Sequence, residues 1–323
     1  MSSTSQYTTF SDLYTGLVNA VRITTGVTAT DNQAKRAINV ALQDMHLGTD
    51  YKFPWAERHA RLVVRPAYTT GTVSINRGSA TLTGSSTVWT TTDDFSIANA
   101  RAGGKIKIDG GRIPYLVDSV GGAGTITLSS KFTEADVASG SSYVYFEDEY
   151  ALASDFLRPL DMQSFDDECS IELIPRTEFR RRYPLNATLG SPSVACIVDG
   201  PPSGSTALVR KVKLAPPPSA YRTIPYSYIT SSLVVSSLGV AQTGFSADSD
   251  EPVIPLRYRH ALFYHALYNW YRDKKDDARS AEAKSDYTDI MLRLMADVDV
   301  GGVRPQFRPR TSRYADRARR PWR

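Results

Sequence analysis

The sequence predicts an α+β fold: a helical bundle built from N- and C-terminal helices, a β-rich middle, an inserted small all-β barrel or sandwich domain, and an extended C-terminal arm. Three observations predict it. Apolar residues recur at helical spacing chiefly near the two ends of the chain. A long stretch between them alternates with period two and is rich in small, turn-forming residues. The last residues, 303–323, are dominated by arginine and broken by proline.

In chain order, residues 1–65 are expected to hold an N-terminal helical hairpin. Phe10, Leu13, Tyr14, Leu17, Val18 and Val21 fall on one helical stripe, and Thr9 with Asp12 forms a capping box at its start. A second helix is predicted from about Asp31, as its cap, to Leu47, with Ala34, Ala37, Ile38, Ala41, Leu42 and Met45 on the buried face.

Residues 66–146 are predicted to be the inserted β domain. They contain 11 Gly, 11 Ser and 12 Thr, a composition that disfavours helix. Thr72–Ile75, Ala80–Thr83, Lys105–Ile108, Tyr115–Val117, Ile126–Leu128 and Tyr143–Phe146 read as short strands. The turns between them include Asn76-Arg77-Gly78, Asp109-Gly110-Gly111 and Gly121-Gly122-Ala123-Gly124.

Residues 147–254 read as a β-rich, proline-punctuated middle region, with strands at Ser170–Ile174, Val194–Val198, Leu208–Leu214 and Tyr221–Ile229. Pro216-Pro217-Pro218 lacks the amide hydrogens of a central strand and marks an edge or a rigid connection. Residues 255–302 should supply the C-terminal helices that complete the bundle. The helix around Tyr258 to Trp270 has no consistently polar face, so it is expected to be buried on most sides or to lie against a neighbouring subunit. The last helix runs from about Asp276 to Val298 and stops at Gly301-Gly302.

With 323 residues, 41% of them hydrophobic, the chain is long enough for about two domains and is neither disordered nor a fibrous rod. No stretch approaches the roughly 20 apolar residues of a membrane span, and Met1 to Thr9 is too polar to begin a signal peptide. No membrane partner is expected. The net charge of +4 conceals a division. Residues 303–323 hold eight arginines and the single acid Asp316, a net +7, which leaves the rest of the chain at −3. Two cysteines, Cys169 and Cys196, could pair, but two thiols in a chain of this size make no disulfide framework, and buried free thiols are the expectation.

The chemistry-bearing residue types form no catalytic pattern. Four histidines (His46, His59, His260, His265) are dispersed, and His260 and His265 lie about 140° apart on a helix, so they are not a zinc pair. Asp166-Asp167-Glu168 lacks the spacing of a calcium loop and reads as a solvated turn. There is no Gly-x-Ser-x-Gly elbow, and the glycine pairs lack the Lys-Ser/Thr of a phosphate loop. No catalytic residue, metal ligand or cofactor is therefore assigned, and the chain is read as a non-enzyme.

The arm is the feature that folding explains least. Arg304, Arg308, Arg310, Arg313, Arg317, Arg319, Arg320 and Arg323 supply guanidinium forks suited to carboxylates or phosphates, and Phe307, Tyr314 and Trp322 supply anchors among them. Pro305, Pro309 and Pro321 prevent a continuous helix, so the segment suits an extended course along a partner surface. These eleven arginine and aromatic residues are the candidate partner-binding set.

The order of segments resembles the head-to-tail adaptor (connector, or tail-accessory) proteins of tailed bacteriophages. The residues that carry the resemblance are Phe53-Pro54-Trp55-Ala56-Glu57-Arg58 after the helical hairpin, and Gly71-Thr72-Val73-Ser74 with Thr83-Gly84-Ser85-Ser86-Thr87-Val88-Trp89 in the β insertion. Tyr145-Phe146-Glu147-Asp148-Glu149-Tyr150 at its exit and Asp250-Glu251-Pro252-Val253-Ile254-Pro255 before Tyr258-Arg259-His260-Ala261-Leu262 complete it. The resemblance covers most of the chain through the order of these strings. It implies a structural virion protein in the neck, assembled in the bacterial host cytoplasm. Such a protein forms a ring of about twelve copies, docks on the portal protein through its C-terminal arm, receives a tail nozzle or tail-tube protein below, and leaves a central channel for DNA without sequence-specific binding. Two other readings use the same residues differently: a nucleic-acid-binding protein acting through the basic arm, and a tail-associated wall-degrading enzyme, for which the sequence shows no recognisable acid/base pair.

Overall fold

The computed structural model describes residues 7–22, 27–47, 51–164, 169–200 and 209–298. Helix α1 (Phe10–Ala20) is followed by α2 (Thr28–Leu47). Then come β1 (Glu57–Val64), β2 (Thr72–Ile75), β3 (Thr81–Ser85), β4 (Lys105–Ile108), β5 (Tyr115–Gly122), β6 (Thr125–Leu128), β7 (Val137–Ser141) and β8 (Tyr143–Phe146). The chain continues through β9 (Glu149–Ala151), β10 (Phe156–Ser164), β11 (Cys169–Ser170), β12 (Glu172–Leu173), the short helix α3 (Arg176–Arg182), β13 (Val194–Gly200), β14 (Val209–Ala215) and β15 (Arg222–Thr230). Three two-residue strands, β16 (Val234–Val235), β17 (Ala241–Gln242) and β18 (Glu251–Pro252), precede α4 (Arg259–Asp273) and α5 (Asp277–Val298). The protein is thus mixed α and β. Its described residues fall into two compact units, one within 1–56 and 231–323, the other within 57–230.

In the helical unit, the Thr9 hydroxyl accepts the Asp12 amide while the Asp12 carboxylate accepts the Thr9 amide at 2.9 Å, the reciprocal cap that starts α1. The next free amides of α1, those of Phe10 and Ser11, donate to the carbonyls of Asp250 and Asp248 at 2.8 and 3.0 Å. A segment more than two hundred residues away thereby satisfies donors that a helix start otherwise leaves to water. Helix α2 begins a turn before the predicted cap, so Asp31 lies within its first turn, where its carboxylate faces the positive end of the helix dipole. Helix α4 packs against α1, α2 and α5. Leu13, Leu17, Ile38, Leu42, Leu262, Ala266, Met291 and Leu294 are among the residues buried in this unit.

Three expectations shift here. Residues 57–65 fall within the 1–65 span expected to hold the N-terminal helical hairpin, yet β1 pairs antiparallel with β15 along its whole length, from Glu57 opposite Ile229 to Val64 opposite Arg222. Only Leu62 and Val64 of this strand are buried, so it shows little internal alternation and the partner strand decides its conformation. Residues 231–254 fall with the helical unit, where β17, β16 and β18 form a small sheet. The strand predicted over Ser170–Ile174 is interrupted at Ile171, and its halves join different sheets: β11 pairs with β10, and β12 with β13.

The β unit contains a seven-stranded sheet in the order β7-β2-β3-β6-β5-β4-β8. It curls until Tyr145 of β8 exchanges both backbone hydrogen bonds with Tyr68, just before β2, at 2.8 and 2.9 Å. Its core holds Trp89, Tyr143, Tyr145 and Phe132, with aliphatic residues from alternate strand positions. Gly104 is required in this core, because a Cβ there would lie 2.0 Å from the Tyr145 hydroxyl. Two four-stranded sheets, β1-β15-β10-β11 and β12-β13-β14-β9, complete the unit. They share a second core, in which Leu62, Met162 and Tyr226 meet Tyr150, Val212 and Leu214.

Candidate docking site

All eleven predicted partner-binding residues, Arg304, Phe307, Arg308, Arg310, Arg313, Tyr314, Arg317, Arg319, Arg320, Trp322 and Arg323, lie outside the described residues. So do the Gly301-Gly302 stop and the Asp166-Asp167-Glu168 cluster. The structure does show how the chain leading to the arm is anchored. Near the end of α5, the Asp297 carboxylate accepts the Tyr258 hydroxyl proton and pairs with Arg257 at 3.5 Å. The Arg257 guanidinium also lies over the Tyr258 ring, 4.6 Å from its centroid. The last described turn of α5 is therefore held against the turn that opens α4.

Arg259 fastens the other side of that turn. Its Nε donates to the Ile254 carbonyl at 2.9 Å, Nη1 to the Thr8 carbonyl, and Nη2 to the Pro252 carbonyl and the Glu251 carboxylate at 3.2 and 3.1 Å. Arg259 is buried, and its planar fork reaches the N-terminal segment and the proline-containing lead-in at once. From Tyr258 to Tyr271 no residue is exposed. The apolar residues all round α4 pointed to this covering.

Two of the histidines, His46 and His265, serve packing. His46 is buried between Leu42 and Trp55, and burial holds its pKa below the ordinary value. His265 stacks on Tyr287 at 4.5 Å, with its pKa likewise lowered by burial. His59 lies exposed on β1 in the other unit. Among the described residues no group of three or more His, Cys, Asp or Glu is placed to hold a metal ion, and no helix is long and apolar enough to cross a membrane. Cys196 is a buried free thiol, its pKa pushed up to about 11 by burial, which keeps it protonated and unreactive at neutral pH.

One polar constellation in the β unit has no counterpart among the predicted sites. Asp148, 1% exposed, receives Lys105 Nζ at 2.5 Å and the Asn186 amide at 2.9 Å on one carboxylate oxygen, with Lys213 Nζ 3.6 Å away. Lys213 also pairs with Glu149 at 3.0 Å. Lys105, Glu149, Asn186 and Lys213, but not Asp148 itself, line a cavity of about 240 Å³ that Arg176 and Arg180 of α3 also line. Their positions are scattered over more than a hundred residues, so no local motif could announce them. The only local sign is the i, i+4 spacing of Arg176 and Arg180.

No family model matches this chain, and no curated protein matches it.

Proposed function

We propose that this protein is a structural ring adaptor between the portal and the tail of a bacteriophage, docking on the portal protein through the arm at 303–323. In this reading α1, α2, α4 and α5 form a four-helix core, and β2–β8 form a small inserted barrel. The observation that carries it is the organisation of the chain. A β unit at 57–230 separates two parts of a helical unit, and a segment of net charge +7 follows the last helix. The adaptor-like strings quoted above occur in the matching order along that layout.

The anchoring of α5 supports the same reading. An extended arm docks productively when its root is fixed, because ordering a free root on binding costs conformational entropy. Tyr258, Arg257 and Asp297 fix α5 one residue before its end. The body of the protein, at net −3 without the arm, suits a channel along which DNA passes without adhering. Other copies of the chain, a tail nozzle or tail-tube protein and the passing DNA complete the proposed set of partners.

Size-exclusion chromatography with light scattering, on the protein alone and after mixing with portal, tests the proposal. A portal-dependent ring that is lost on deleting 303–323, with the unfolding midpoint unchanged, is the expected result. A persistent monomer in the presence of portal would overturn it. The eight arginines of the arm also support the nucleic-acid-binding reading. It requires duplex affinity whose logarithm falls with log salt at a slope of about −0.9 per neutralised phosphate. The adaptor reading requires portal docking without DNA.

A further inference from the structure

We propose that the cavity between α3, β13 and β14 is an oxyanion site, built for the phosphate group of a small ligand or of a nucleic-acid backbone. Charge accounting is the first ground. Lys105 and Lys213 are matched by Asp148 and Glu149, and the remaining lining carboxylate, Asp199, is engaged by Arg210 at 3.0 Å. What remains uncompensated is the pair Arg176 and Arg180. They lie one turn apart on the same face of α3, both exposed, and among the described residues no hydrogen bond or ion pair engages either guanidinium.

The second ground is the floor. Lys105 and Lys213 have side chains only 14% and 21% exposed, held close together by a carboxylate that both approach. An ammonium carries three donors, and the contacts made here leave donors on both lysines uncommitted. Burial pulls the Lys105 pKa below its ordinary value against the attraction of Asp148, and the neighbouring Lys213 adds to the lowering. An anion seated between floor and rim would offset that repulsion and accept from guanidinium forks on one side and ammonium groups on the other. At about 240 Å³ the cavity falls below the roughly 300 Å³ at which pockets for drug-sized ligands begin, so it suits a single compact group.

Isothermal titration of the full-length protein with inorganic phosphate, at ionic strength balanced by chloride, tests the site. The expected result is one saturable event per chain in the wild type, weakened at least about tenfold in the Arg176→Gln/Arg180→Gln double variant. Both arginines are exposed and unpaired, so the variant should keep the wild-type unfolding midpoint in chloride. The arginine arm is identical in the two proteins and cannot account for a difference between them. A heat indistinguishable from that of chloride, or a double variant that binds phosphate as the wild type does, would overturn the proposal. A short DNA duplex added as competitor separates the two sources. Displacement of phosphate identifies a nucleic-acid backbone as the occupant, and failure to displace it identifies a free phosphate compound.

Discussion

Trp55 donates its indole N–H to Nε2 of His46 across 3.1 Å, while Nδ1 of the same ring donates its proton to the Leu42 carbonyl at 2.8 Å. An indole nitrogen can only donate and a carbonyl can only accept, so the two bonds together require the neutral Nδ1-protonated ring. A proton added at Nε2 would point at another donor inside a buried site.

That geometry fixes the sign of a pH effect. Burial lowers the folded pKa of His46, and those of His260 and His265 in the same unit, below the unfolded value of about 6.5. The unfolded chain then binds protons more readily, so stability is complete above about pH 7 and declines as pH falls through 6.5 toward the folded values. Thermal unfolding of the helical unit is expected to lose stability between about pH 7 and 5, and His46→Gln should flatten the slope in part. An identical slope in the variant would exclude His46 as a contributor.

The β unit should respond to acid later. Burial opposes ionisation of Asp155, but the hydroxyls of Thr230 and Tyr228, donating at 2.6 and 2.7 Å, outweigh it and hold the carboxyl below its ordinary range. This contribution is present above the unfolded pKa of about 3.9 and is lost as pH falls through the lower folded value. Trp89 fluorescence, which reports on this unit, should therefore stay native at pH 5 and change only in stronger acid. Asp155→Asn should remove part of that acid transition.

Tyr143 links the buried Trp89 indole to the chain at Thr70, accepting the indole N–H at 2.8 Å and donating to the Thr70 carbonyl at 2.8 Å. Tyr143→Phe keeps the ring and deletes both bonds, leaving the Trp89 N–H unsatisfied in a core where that side chain has no exposure. A destabilisation of the β unit by about 2 kcal/mol is expected from urea unfolding followed by Trp89 fluorescence. A change within experimental error would show that the indole has another acceptor.

Arg259→Lys retains the charge but has no fork to serve the Thr8, Ile254 and Pro252 carbonyls and the Glu251 carboxylate together. Both Arg259→Lys and Arg259→Met should destabilise the helical unit, the latter by about 3 kcal/mol because buried acceptors lose every donor that the guanidinium supplied. Hydrogen exchange at the Phe10 and Ser11 amides offers a local readout, since the Asp250 and Asp248 carbonyls that bind them lie in the segment Arg259 fastens. Unchanged exchange there would contradict the coupling.

Much of the helical unit was legible because helical burial leaves a local trace. Phe10, Leu13, Leu17 and Val18 recur at the spacing of one face, and Thr9 with Asp12 marks the start by chemistry that needs only four residues. The strands at 105–108 and 143–146 were legible for the corresponding reason: a curled sheet with one buried face imposes period two. Strand β1 was not, since five of its first six residues, Glu57 to Ala60 and Arg61, are only partly buried or exposed. Helix α3 leaves no helical periodicity either, being seven residues long with Phe179 as its one buried side chain.

What sequence order alone established is local: which stretches carry helical or alternating periodicity, where the turns fall, and how charge divides between body and arm. Those properties are set by neighbours within a few residues, and by composition. The folded structure decided which distant segments meet. It placed Asp250 and Asp248 on the free amides of α1, brought Lys105 and Lys213 onto Asp148, and set Arg176 and Arg180 across a cavity from them. A hydrogen bond or an ion pair depends on distances of a few ångströms, and pairings between residues up to 251 positions apart are fixed only when packing closes the chain on itself.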